Sequence, residues 1–233
     1  MRTIRKLSSA ARRRVFEAQL RRERVRSWPI THLGSDYGGW WVPAELIDDS
    51  WVCYSAGAGA DVSFDSELVQ RFGATVRGFD PFRLFGARAV EAVGNSERYS
   101  FHVVALAAND GPLQVYGRQD LVRGSVSAVN LYGVDSEHVV SGRSLPSLMR
   151  ELGDERVDLL KLDIEGSEYE VLEPLDLPSL GVRVLCVELH HNEPARRARA
   201  LLGRLRDQGY EVIFRGGGSE ITLLRTDDAI VGS

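Results

Sequence analysis

The sequence predicts an α/β protein: an open, mostly parallel sheet with helices on both faces and an antiparallel last strand. Three observations predict it. Short apolar runs alternate with segments of helical spacing from Ser50 to Gln208, the pattern of strand–helix–strand units whose strands run parallel. The first such unit is joined by a glycine turn and ends in an acid, Asp80. The last two strand-like runs, Tyr210 to Phe214 and Glu220 to Leu224, are joined by Gly216-Gly217-Gly218, a connection too short for a crossover, so the final strand reverses.

Composition narrows the function classes. Of 233 residues, 43% are apolar and 27% charged, which fits a folded globular chain and excludes wholesale disorder. The net charge of −4 conceals an asymmetry: residues 1–27 hold ten Arg or Lys against two Glu, leaving 19 basic and 31 acidic residues for the rest. The segment 1–30 is therefore a basic, helical extension and 31–233 the main domain. Leu7, Ala11, Val15, Ala18 and Leu20 fall roughly on one helical face. That fits a helix packed on the acidic body or on a second subunit, as in a homo-oligomer, better than a nucleic-acid arm. No apolar signal core and no run of about 18 apolar residues occurs, so a cytoplasmic protein without a membrane span is expected. Cys53 and Cys186 sit inside apolar runs with no metal-type partner nearby, which predicts reduced, buried, inert thiols.

Taken in order, Thr31 to Pro43 reads as a loop-rich segment with Gly34, Gly38, Gly39 and the pair Trp40-Trp41, either core-capping aromatics or a substrate wall. Ser50 to Ser55 is a first strand. Gly57 and Gly59 make the turn after it, and Val62, Phe64, Leu68, Val69 and Phe72 give the next helix its apolar face. Ala74 to Phe79 is the second strand, ending in Asp80. This arrangement suits a nucleoside: the glycines allow close backbone approach, and an acid at the second strand's end accepts both ribose hydroxyls. On this reading Gly57 and Gly59 serve the ligand rather than the fold. A dinucleotide fingerprint requires a third glycine where Val62 stands, and Asp61 before it repels a pyrophosphate but welcomes an ammonium. That shifts the reading from a nicotinamide cofactor toward S-adenosylmethionine.

Phe82 to Val93 is a second helix and Tyr99 to Leu106 a third strand, with His102 as a surface strand residue. Ala107 to Gly111 is a turn and Leu113 to Tyr116 a short extra strand. The polar stretch 117–142 is long enough to predict a lid or acceptor-binding loop. Ser144 to Leu152 is a helix that returns to the apolar run Val157 to Ile164. Asp163 falls at the carboxyl end of that strand, where α/β sheets place their ligands, and Gly166 and Ser167 turn and cap the following helix. Gly181 to Leu189 is a buried strand whose end delivers Glu188, His190 and His191 beside Asp163. Pro194 to Gln208 is an Arg-rich amphipathic helix with Ala198, Leu201, Leu202 and Leu205 inward.

Asp-Leu-Leu-Lys-Leu-Asp-Ile-Glu-Gly-Ser-Glu at 158–168, Gly-Ala-Gly-Ala-Asp-Val-Ser-Phe-Asp at 57–65, Gly78-Phe79-Asp80-Pro81 and Glu188-Leu189-His190 together resemble the FkbM-type S-adenosylmethionine-dependent methyltransferases, over residues 31–225. The resemblance implies a Rossmann-like, seven-stranded class I methyltransferase sheet with the last two strands as a hairpin. It implies O-methylation of a small-molecule hydroxyl, on a sugar or a secondary-metabolite intermediate. It further implies a cofactor site of Ser55, Gly57, Gly59, Asp61, Asp80, Pro81, Ala107 and Asp163. A hydroxyl nucleophile needs a base or a metal to lose its proton. His190 or His191, with an ordinary pKa of about 6.5, is a candidate base beside the catalytic acids Asp163 and Glu188. In the alternative, Asp163, Glu188 and His190 hold a hard cation such as magnesium. The rivals are a nicotinamide oxidoreductase, opposed by the missing glycine, and a non-catalytic nucleoside-binding or scaffold protein, which needs neither Asp80 nor the strand-end cluster.

Overall fold

The computed structural model describes residues 9–116, 137–191, 193–216 and 219–226. The chain enters through α1 (Ser9–Leu20) and an antiparallel pair, β1 (Thr31–Leu33) and β2 (Trp40–Val42). The first parallel unit follows as β3 (Val52–Ala56), α2 (Ser63–Phe72) and β4 (Thr75–Asp80), then α3 (Arg83–Ala92) and β5 (Tyr99–Val103). Next come β6 (Ala105–Leu106), β7 (Gly111–Tyr116), β8 (Glu137–Arg143), α4 (Leu145–Leu152), β9 (Leu159–Leu162) and α5 (Glu168–Leu172). The chain closes with β10 (Val184–Glu188), α6 (Ala195–Asp207), β11 (Tyr210–Arg215) and β12 (Glu220–Arg225).

Seven strands form the central sheet in the order β11-β12-β10-β9-β3-β4-β5. The pairs β3/β4, β4/β5, β3/β9 and β9/β10 are parallel, and β12 runs antiparallel to both β10 and β11. Period-two alternation splits the core across the sheet. Tyr54, Leu160 and Leu185 face one apolar cluster with α4, α5 and α6, while their neighbours Cys53, Leu159 and Val184 face another with α2. The strand order reverses between β3 and β9, which places the crevice of the sheet beyond their carboxyl ends.

Four local expectations change. Residues 31–43 are a hairpin, with Leu33 paired to Trp40 and Thr31 to Val42; Trp40 and Val42 face the core while Trp41 turns outward onto Phe214. The run from Tyr99 to Leu106 breaks at Val104, whose N–H bonds His102 only two residues back, so β6 leaves the main sheet for a three-stranded one with β8 and β7. His102 is half-buried, stacked on Phe79 and bonded to the Ser100 hydroxyl. Of the expected 117–142 loop, residues 137–142 are strand, and 117–136 lie outside the described residues.

The basic extension docks on this same body. Phe16 and Leu20 are buried, whereas Val15 and Ala18, expected on the inward face, are exposed. Arg206 of α6 reaches Glu23 at 2.9 Å, and Arg215 donates to the carbonyls of Leu20 and Glu23, closing the end of α1. Cys53 and Cys186 are buried and free, and burial pushes the Cys186 thiol up to about 12, as inert core thiols require. Among the described residues, no helix is long and apolar enough to cross a membrane.

Candidate active site

A cavity of about 530 Å³ opens beyond the carboxyl ends of β3, β4, β9 and β10. One wall is the turn after β3. The backbone N–H groups of Gly57 and Ala58 donate to Phe79 at the end of β4, so the turn lies across the neighbouring strand. Gly57 has φ +75°, and a Cβ built there would sit 1.7 Å from the Asp163 carbonyl oxygen. Gly57 is therefore needed for the fold, contrary to the expectation that it serves only the ligand. Gly59, at φ +57°, has no atom within 4 Å of such a Cβ. It faces open cavity.

Asp80 closes this wall. Its Oδ2 accepts the Gly59 N–H at 3.2 Å and its Oδ1 the Phe82 N–H at 2.9 Å. Burial raises its pKa to about 6 against the pull of those two bonds and of Lys161. Asp61 also lines the cavity, but both its oxygens already accept hydrogen bonds, from Ser35 Oγ at 2.6 Å and from the Ser63 N–H at 2.9 Å. Beneath the turn lies Lys161, a buried cation of β9 whose Nζ donates to the Gly57 carbonyl at 3.1 Å. The sequence offered one signal for it, a lysine amid leucines in a buried strand.

The opposite wall is acidic. Asp163 follows β9 directly, its N–H bonded to Ala56 of β3, and Glu165, Glu188 and Glu220 join it on the cavity surface. Glu165 has φ +54°, an uncommon conformation for a residue with a side chain. Glu168 holds that turn: its buried Oε1 accepts the N–H groups of Ile164 and Gly166 and meets His190 Nδ1 at 3.0 Å. Ser167, at the start of α5, makes no capping bond through its side chain; Glu168 does the organising instead. On the other side of the imidazole, His190 Nε2 lies 3.1 Å from Glu165. Burial disfavours the charged ring, but hydrogen bonds to Glu165 and Glu168 and the charges of Glu168 and Glu188 outweigh it and push His190 up to about 11. The two carboxylates thus favour the charged form of the ring.

Glu188 has the opposite character. Burial, and then the neighbouring charge of Asp163, raise its pKa to about 7 despite His190; it shares a hydrogen bond with Asp163 and accepts one from Ser219 at 3.3 Å. Burial and Asp163 also raise Glu220.

The expected site residues thus divide. Gly57, Gly59, Asp61, Asp80, Pro81, Asp163 and Glu188 line the cavity; Ser55, Ala107, His190 and His191 do not. Ser55 is buried in β3 and Ala107 is buried just after the end of β6. Among the described residues, the groups with ligand atoms mutually within 4.8 Å are Asp163, Glu165 and His190, with Glu165 rather than the expected Glu188. Asp163, Glu165 and Nε2 of His190 are donor types that could hold a cation, with Glu168 on Nδ1 fixing the ring; as the side chains stand, Nε2 faces Glu165 at 3.1 Å. Both ring nitrogens of His190 are engaged, by Glu165 and Glu168, and the ring does not line the cavity.

A sheet of this order with a nucleoside-sized, acid-lined cavity at its switch point defines a Rossmann-like class I methyltransferase fold. The chain belongs to the FkbM methyltransferase family: residues 56–212 match the methyltransferase FkbM domain. A stretch of 77 residues, 31% of the chain, is 43% identical to the AMB antimetabolite synthetase AmbE of Pseudomonas aeruginosa; the match spans 4% of that protein's length. Solved structures of similar shape include two fibrillarins. The Methanococcus jannaschii fibrillarin pre-rRNA processing protein is 10% identical, with 94% of this chain and 74% of that one covered and a TM-score of 0.46. Aeropyrum pernix fibrillarin, with natively bound S-adenosyl-L-methionine, is 11% identical, with 89% and 86% covered and a TM-score of 0.45.

Proposed function

We propose that this protein transfers a methyl group from S-adenosylmethionine to a hydroxyl of a small molecule, a sugar or a secondary-metabolite intermediate. The observation that carries the reading is the pairing, across one cavity, of the Gly59–Asp80 wall with the buried carboxyl of Glu188 in a chain of the FkbM family. The name of the AmbE relative, an antimetabolite synthetase, agrees with a secondary-metabolite acceptor.

The residues fit the cofactor. Asp80 presents a carboxylate into the cavity where a ribose diol can donate to it, Gly59 leaves open space for close approach, and the acidic lining suits a ligand bearing ammonium and sulfonium charges. When bound, S-adenosylmethionine supplies an electrophilic methyl on sulfur. The protein's part is then to hold the acceptor in line and to take its proton. Glu188 is the base in this reading, since its pKa of about 7 lets it accept a proton near neutrality, and Asp163 stands next to it to share that proton. His190 acts from outside the cavity as the fixed cation that orients Glu165 and Glu168.

Calorimetric titration with S-adenosylmethionine, set against fluorescence titration with NADH, tests the reading. Binding of the first and not the second is expected. Binding of NADH alone, or of neither, would overturn it.

A further inference from the structure

The turn between β1 and β2 carries an aromatic ring to the cavity with no ring contact among the described residues. Tyr37 lines the cavity yet is 90% exposed, and its side chain makes no hydrogen bond or ring contact among the described residues. The turn beneath it is pinned. Ser35 Oγ donates to Asp61 and accepts the N–H groups of Tyr37 at 3.2 Å and Gly38 at 3.0 Å. The Ser35 N–H donates to Ser63 Oγ at 2.7 Å and the Gly34 N–H to Glu67 at 3.0 Å. The turn also lies flat on the glycine-turn segment, for a Cβ at Gly38 would stand 2.7 Å from the Asp61 carboxyl carbon. A fastened backbone thus presents a rigid, amphipathic ring at the mouth of a site. Such rings contribute contact area at little conformational cost.

The same cavity carries Glu165, Glu188 and Glu220. Carboxyl groups clustered on one wall offer an excess of acceptor oxygens, so a ligand lying against them is favoured if it brings donors, and a negative charge on it would be repelled. A saturated ring with hydroxyls at its edge and C–H groups on its faces satisfies both features: edge to carboxylate, face to tyrosine.

We propose that Tyr37 is an acceptor-positioning residue, a platform on which an uncharged, polyhydroxylated ring lies while its hydroxyls donate to the carboxylate wall. The inference rests on the methyltransferase reading above and adds the residue that selects the acceptor.

The test uses the full chain loaded with S-adenosylhomocysteine and follows nitration of Tyr37 by tetranitromethane through peptide mass spectrometry. The probes are methyl glucoside, methyl rhamnoside and glucose 6-phosphate at equal concentration. S-adenosylhomocysteine alone should leave Tyr37 reactive, a methyl glycoside should protect it, and the phosphate should not. Tyr37→Ala, at a side chain 90% exposed, should weaken calorimetric binding of the protecting glycoside about tenfold, the upper range for one aromatic contact, with cofactor-product affinity unchanged. Tyr37→Phe should restore it. Protection by S-adenosylhomocysteine alone, equal protection by the phosphate, absence of protection by both glycosides, or unchanged glycoside affinity in Tyr37→Ala would each overturn the inference. Failure of S-adenosylhomocysteine to bind at all would instead count against the methyltransferase reading.

Discussion

On the β3–β4 wall of the cavity, the turn is held by bonds between near neighbours in the first unit: the N–H groups of Gly57 and Ala58 donate to the Phe79 carbonyl, and the Asp80 carboxylate accepts the N–H groups of Gly59 and Phe82. On the β9–β10–β12 wall the cavity is faced by four acidic side chains, and order comes from a side-chain clamp, Glu165–His190–Glu168, drawn from two different strand ends. The first wall is local and rigid and can be complementary to one constant ligand. The second is long-range, charged and responsive to pH, which suits proton transfer.

The largest effect should come from breaking the seam between the walls. Gly57→Ala drives a Cβ into the Asp163 carbonyl and should cost on the order of 4 kcal/mol or more, read by chemical denaturation, with loss of cofactor binding as a consequence. A folded, cofactor-binding Gly57→Ala protein would show that the seam is soft.

Next is the clamp on the acidic wall. His190→Ala leaves Glu165 and Glu168 facing each other without their cation and should cost about 3–5 kcal/mol at neutral pH. Because His190 is raised to about 11, its contribution is fully present below the ordinary histidine pKa of about 6.5 and is lost as pH rises toward 11. The wild type should therefore lose stability across that window and the variant should show a flatter profile. Parallel pH profiles would sink the imidazolium assignment.

On the other wall, Asp80→Ala should weaken S-adenosylmethionine binding by on the order of 2–4 kcal/mol, through loss of charge-assisted bonds to the ribose. Calorimetry showing wild-type affinity would remove Asp80 from the cofactor site. The smallest stability change should be Gly59→Ala, about 1 kcal/mol for a side chain in the left-handed region, with a folded protein that binds cofactor poorly. The contrast with Gly57→Ala at a position two residues away sharpens the division between fold and ligand.

Much of the β3–β4 wall was legible in the sequence because its signals are local. A strand, two glycines, a helix and a terminal acid within about thirty residues of chain fix where Gly59 and Asp80 must stand. Asp163 was legible for the same reason, as the polar end of an apolar run. The clamp was not. Glu168 and His190 are 22 residues apart, and only the parallel register of β9 and β10 brings them together, so no local signal showed that carboxylates engage both nitrogens of the imidazole. Glu220 joins the site from the reversed strand, whose pairing with β10 places it opposite Glu188. The β1–β2 hairpin escaped notice because each strand has three residues, too few for a period to show, while its glycines read as loop.

The most direct test of the two-wall account is the pH–rate profile of methyl transfer from S-adenosylmethionine, in the presence of chelator, to an acceptor taken from a panel of sugars and macrolide-like alcohols. With Glu188 as the base, raised to about 7, the rate should climb with pH through that value in the wild type, and Glu188→Gln should lose both the climb and most of the activity. A rate that is flat through pH 7, an undiminished Glu188→Gln, or activity abolished by chelator and restored by magnesium would contradict it.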